Sequence, residues 1–152
     1  MNIIVASAGK WKSGPERALY EHFARRITWK MELKEVEERK ALPPGALKRA
    51  EGERLLAAAG DKSFLVALDP GGKQIDSAGF ARQIEAWQSR GLGRLAFLIG
   101  GADGLDDALL KRADYALSLG AMIWPHLLVR VLLAEQIYRA QCILSHHPYH
   151  RG

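Results

Sequence analysis

Apolar residues fall along this chain in two alternating rhythms. Short, nearly unbroken apolar runs occupy residues 2–8, 64–68, 94–99 and 115–119, as the buried strands of a parallel sheet do. Residues 31–37 alternate apolar with charged and read as a further strand. Between the strands, apolar positions recur three or four apart, the spacing that gathers them on one side of a helix. Leu19, Phe23 and Ile27 form such a stripe behind Ser13-Gly14-Pro15-Glu16, which reads as a capping box with Ser13 accepting from the Glu16 amide. Pro43-Pro44 halts the chain, and 46–59 follows as a helix with Leu47, Leu55 and Ala58 inward, stopped by Gly60. Residues 78–90 put Phe80, Ile84 and Trp87 on one face and stop at Gly91. A short helix over 106–113 and a long one over 126–143 complete the series.

Strand and helix alternate throughout, which predicts an α/β fold: a mostly parallel sheet with helices on both faces. No repeat, low-complexity segment or linker interrupts the pattern, so 1–152 reads as a single domain. The one strong turn cluster in mid-chain, 69–73, is too short to separate domains. Ligands of such sheets lie at the carboxyl ends of the strands, which marks three loops: 69–73, 100–104 and 120–125.

Composition narrows the function classes. No apolar run approaches the ~20 residues that span a bilayer, and the first residues read as a strand rather than a leader. Cys142 is the only cysteine; it allows no intrachain disulfide or cysteine-based metal site and suits a cytoplasmic setting, as a buried, inert thiol. The net charge of +5 fits either a polyanion binder, RNA first, or a protein kept soluble by charge. No helix pairs a basic face with a strongly apolar one, which argues against a membrane surface.

Gly100-Gly101-Ala102-Asp103-Gly104 lacks the Lys-Ser/Thr of a P-loop and follows a late strand, so it fits neither a nucleotide hydrolase nor a dinucleotide fold; a plain turn and a ligand loop both remain. Gly120-Ala121-Met122-Ile123-Trp124-Pro125 is unusually apolar for a loop. Either it is buried, with backbone groups free to bind a flat heterocycle, or it prolongs the strand. The last helix is apolar nearly all round, which calls for partners on more than one side, a second copy of the chain being one. Glu135 and Arg139, four apart, read as an ion pair; Arg130 and Arg139 also fit a phosphate-facing role. The tail gathers His146, His147, Tyr149, His150 and Arg151, which fits a frayed end or a substrate-contacting segment better than a metal site.

Taken together, 98–104, 117–119, 125–140 and 147–151 resemble the ribosomal RNA large-subunit methyltransferase H family of the SPOUT superfamily, over essentially the whole chain. Leu127 stands where that family often has proline, and Ala102-Asp103 varies within the glycine loop. The resemblance implies a C-terminal trefoil knot, a homodimer, and an S-adenosylmethionine-dependent enzyme that methylates N3 of one pseudouridine in 23S ribosomal RNA. It implies cofactor contacts at Leu68, Gly101, Gly120, Ala121, Met122, Ile123, Trp124 and Pro125 and no metal. Chemistry at the tail would then fall to His150 as proton acceptor, Arg151 against developing negative charge, and Tyr149 in placing the base. A non-catalytic RNA-binding or ribosome-assembly factor is the rival reading, and neither involves DNA. A hydrolase is disfavoured because no Gly-x-Ser-x-Gly elbow is present.

Overall fold

The computed structural model describes residues 1–151. Five strands form one sheet in the order β2-β1-β4-β3-β5: β1 (Asn2–Ala8), β2 (Lys30–Val36), β3 (Phe64–Gln74), β4 (Arg94–Ile99) and β5 (Tyr115–Ser118). Every pairing is parallel, as the strand–helix alternation requires. The helices are α1 (Pro15–Ala24), α2 (Pro44–Ala59), α3 (Ser77–Ser89), α4 (Asp107–Arg112) and α5 (His126–Leu144).

Alternate residues of each strand feed two separate cores. Ile3, Val5, Val66, Leu95 and Phe97 face α3 and α5, where Phe80, Ile84, Trp87, Leu133 and Ile137 close over them. Ile4, Ala6, Leu65, Ala67 and Leu98 face Leu55 and Ala59 of α2 and Leu109 of α4. Helices therefore cover both faces, and the central strands are apolar on both sides, which is why they read as solid runs rather than alternating ones.

Local signals agree with the structure where the backbone itself sets them. Gly60 ends α2 in the left-handed region, with its amide bonded to Leu56 O. Three differences come from competition between neighbours. Gly14, not Ser13, is the N-cap of α1, and no side chain caps it. Leu19 is 45% exposed, because the inner face of α1 is set by Tyr20; Ile27 is buried beyond the helix end. The turn cluster 69–73 does not end its strand. Leu68 and Lys73 both stand opposite Leu117, so the four residues 69–72 are looped out of β3 as a long bulge and the strand resumes.

Helix α5 packs against both α1 and α3 as well as the sheet, which accounts for much of its all-round apolarity. It also carries the most buried charge. Arg130 is fully buried and donates to Glu35 Oε2 on β2 (2.9 Å) and to the carbonyls of Ala8 (3.1 Å) and Gly9 (2.7 Å) at the end of β1. Its guanidinium also lies 4.7 Å from the centroid of the Trp11 ring. Burial pushes this guanidinium down from its ordinary value, and the bond to Glu35 opposes the shift. The neighbouring Tyr20 hydroxyl is pushed up to about 12, by burial first, with Arg130 pulling the other way. Removing one member of such a pair strands the other. Glu35 keeps some solvent access, so Arg130→Ala is expected to cost about 3 kcal/mol, the low end for buried pairs. That lowers the unfolding midpoint by about 10 °C; Arg130→Met combined with Glu35→Gln, which leaves no charge unpaired and keeps an acceptor for the Trp11 amide, loses less than half as much. Thermal unfolding followed by circular dichroism checks both.

Candidate functional site

All five strands point their carboxyl ends to one edge of the sheet, and a cavity of about 510 Å³ opens there. Three of its walls follow strands of the sheet. Leu68 of β3 and Asp69 and Pro70 of its bulge form one wall; Ile99 at the end of β4 and the 100–105 loop form another; Leu117 of β5 and Leu119, Gly120, Met122, Ile123 and Trp124 beyond it form the third. His126 and Val129 at the start of α5, Lys48 of α2, and Asp107 and Leu110 of α4 complete the lining.

The glycines have defined work. A Cβ on Gly100 would stand 2.5 Å from the carbonyl carbon of Gly104, so only glycine lets the loop fold on itself; a Gly101–Gly104 bridge closes it. Gly120 has φ 110°, a conformation side chains rarely adopt, and it turns the chain away from β5. The Ser118 hydroxyl supports that turn, accepting from the Gly120 amide at 3.1 Å.

Leu68, Gly101, Gly120, Met122, Ile123 and Trp124, expected from the sequence as cofactor contacts, thus line one cavity. Ala121 and Pro125 belong to the same segment but do not line it. The segment is not buried as its apolarity suggested. In the single chain Met122 is 73% exposed, Ile123 92% and Trp124 39%. The Trp124 indole N–H donates to Leu119 O (3.3 Å), folding the segment back on itself. It does not prolong β5 either, which ends at Ser118.

Charged side chains ring the cavity. Asp69, Asp103 and Asp107 put carboxylates around the mouth, and Lys48 a single ammonium. Glu51 lies behind the glycine loop, where burial and then the charge of Asp103 hold its carboxyl above the usual range. His126 reaches the cavity wall beside Gly9, and burial followed by the Arg130 charge keeps its imidazole below its ordinary value. A Pro-His pair at a helix start could have flagged it; Asp69 and Asp103 fall in loops the sequence had marked, and nothing local flagged Lys48, Glu51 or Asp107.

A second cavity of about 500 Å³ lies across the 119–124 segment, between the start of α3 and the middle of α5. It shares Leu117, Leu119, Gly120 and Trp124 with the first and adds Asp76, Ser77, Glu135 and Gln136. Glu135 holds the tail. It accepts from Arg139 (2.6 and 2.9 Å) and from the Tyr149 hydroxyl (2.9 Å), while Arg139 approaches His150 Nδ1 at 3.3 Å and stacks over the Tyr149 ring. The ion pair read from the spacing of Glu135 and Arg139 is therefore present. Burial first, then the bond to Glu135, raises the Tyr149 hydroxyl, so Tyr149 is a neutral donor. The tail reaches this place through a Schellman turn: His147 N bonds Cys142 O, His146 N bonds Ile143 O, and His146 takes φ 58°. Arg151 is exposed.

A family model described as "Predicted SPOUT methyltransferase" matches residues 1–150. The chain is 48% identical over 152 residues to the ribosomal RNA large subunit methyltransferase H of Rhodospirillum centenum, covering all of both chains. It is 51% identical over 147 residues to that of Gluconacetobacter diazotrophicus, covering 96% of this chain and 95% of the relative. The chain belongs to the ribosomal RNA large subunit methyltransferase H family. Among solved structures, a "probable methylase family protein" from Haemophilus influenzae Rd KW20 shares its fold, with TM-score 0.59 over 99% of this chain and 70% of that one, at 14% identity. A family member of this kind needs a methyl-donor pocket, and the glycine-walled cavity has the size range of small-molecule sites, about 300–1,000 Å³.

Two outcomes test this geometry. Gly100→Ala is expected to cost about 1–3 kcal/mol, the range for forced overpacking. Gly45→Ala, with nothing within 4 Å, is expected to cost nothing; chemical denaturation separates the two. Because folded His126 binds its proton less readily than the unfolded residue, stability falls as pH drops through the ordinary histidine range. His126→Gln should flatten that part of the stability–pH curve, read by thermal unfolding between pH 5 and 7.5.

Proposed function

We propose that this chain, as one SPOUT domain over 1–152 with its 119–125 segment part of a trefoil knot, uses S-adenosylmethionine to methylate N3 of one pseudouridine in bacterial 23S ribosomal RNA, in the cytoplasm. The observation that carries the reading is the convergence of the bulge of β3, the 100–104 loop and the 119–124 segment on one cavity, in a chain whose relatives bear the name of a large-subunit rRNA methyltransferase.

The residues present suit that cofactor. Gly100 and Gly101 let backbone approach closely, Leu68, Ile99 and Leu119 offer apolar surface to a flat base, and Asp69 and Asp103 put negative charge near a cation. S-adenosylmethionine, when bound, supplies a methyl group already activated on a sulfonium. The chain's task is to place the acceptor nitrogen in line with it and remove the N3 proton. His150 accepts that proton, Arg151 balances negative charge developing on the base, and Tyr149, a neutral donor, orients the ring.

The working form is a homodimer. Exposed Met122 and Ile123 are apolar side chains that a second copy covers, and the tail after α5 crosses to complete the partner's site. In the single chain the same tail rests on its own Glu135. Calorimetry with S-adenosylmethionine and a methyl-transfer assay on ribosomes and on naked rRNA lacking the modification test the reading. Removing 147–152 should leave folding and cofactor binding intact and abolish transfer. Absence of cofactor binding by the full chain overturns the function, and transfer by the truncated chain overturns the role of the tail.

A further inference from the structure

β1 and β2 run side by side in register up to Ala8 and Val36, and the Gly9 amide still bonds Val36 O at 2.8 Å. The loops that follow, 9–14 and 37–43, therefore leave the carboxyl edge of the sheet together. The first begins against the cavity wall, since a Cβ on Gly9 would lie 3.5 Å from His126 Nε2. The second leads into α2, whose Lys48 lines the same cavity.

Trp11 pegs the first loop. Its amide donates to Glu35 Oε2 (2.8 Å), its ring lies under the Arg130 guanidinium, and Tyr20 packs at its edge, 5.2 Å between centroids. With Trp11 turned inward, Lys10 and Lys12 on either side of it are exposed, as is Lys40 in the second loop. The carboxylates at the end of β2 and in the second loop are already committed. Glu35 holds Arg130, Glu37 pairs with Arg39, and Glu38 pairs with Arg54 and accepts from the Lys40 backbone amide. Lys10, Lys12 and Lys40 have no ion-pair partner among the described residues, in a chain of net charge +5.

We infer that Lys10, Lys12 and Lys40 form a phosphate-gripping rim that carries the RNA backbone away from the cavity over the β1–β2 side of the sheet. Flexible ammonium groups on a pegged loop hold phosphates without reading bases, so the rim fixes position and register, and sequence is recognised elsewhere. The inference rests on the proposed RNA substrate, but binding can be measured without the methyl donor.

The test is filter binding of the full chain to purified 23S rRNA and to isolated large subunits, both lacking the modification, over a range of salt. The triple variant Lys10→Glu, Lys12→Glu, Lys40→Glu is compared with Lys30→Glu, Lys62→Glu, two lysines at the opposite, amino ends of the strands. Circular dichroism verifies that both variants fold. The triple variant should bind both RNAs at least about tenfold more weakly, with the slope of log affinity on log salt shallower by about two to three. Its affinity for S-adenosylmethionine and its turnover at saturating RNA should stay unchanged, with KM raised. The double variant should bind like the unaltered chain. Unaltered affinity in the triple variant, or an equal loss in the double, overturns the rim. A loss confined to subunits, with naked rRNA bound normally, overturns RNA as the partner in favour of an acidic ribosomal protein. Normal RNA results with no methyl transfer leave the rim standing and remove the enzymatic reading alone.

Discussion

The guanidinium of Arg130 is the point on which the carboxyl edge of the molecule depends. It comes from the last helix, yet it bonds the end of the first strand and a glutamate on the second. Three segments far apart in the chain are thereby held at one place, next to the wall of the larger cavity. A fully buried arginine is costly unless its donors are met. Here two nitrogens are satisfied, while Nε has no partner, as is also true of the buried Ser7 hydroxyl. An apolar side chain of similar volume would pack without that cost, so the residue is best understood through what it orients: the start of α5, with His126, and the peg of Trp11.

Much of the fold was legible because it depends on patterns internal to each segment. Buried strands need apolar side chains on both faces, and β4 occupies 94–99 as its apolar run indicated. Phe80, Ile84 and Trp87 lie inward because their spacing leaves them no other common face. The cavity was legible for a different reason, since parallel strands bring their carboxyl ends together wherever the chain order places them.

What was not legible depends on neighbours that sequence distance hides. An apolar loop suggests burial, but Ile123 is covered only if something outside the single chain covers it. Tyr149 reaches Glu135 because His146 adopts a left-handed conformation, which is uncommon for a residue bearing a side chain. The Glu135–Arg139 spacing announced the pair itself, but not that the pair would serve as the tail's resting place.

The bulge in β3 has a consequence for the cavity mouth. Leu68 and Lys73 both stand opposite Leu117, so the four intervening residues begin and end at the same rung of the ladder. A Cβ on Gly72 would come within 2.6 Å of the Ala116 backbone, so the return path hugs β5. The excursion is therefore neutral to the register of the sheet: the ladder resumes at the rung where it was left. The bulge thus sets the depth and charge of the cavity mouth, through Asp69 and Pro70, independently of the scaffold beneath it.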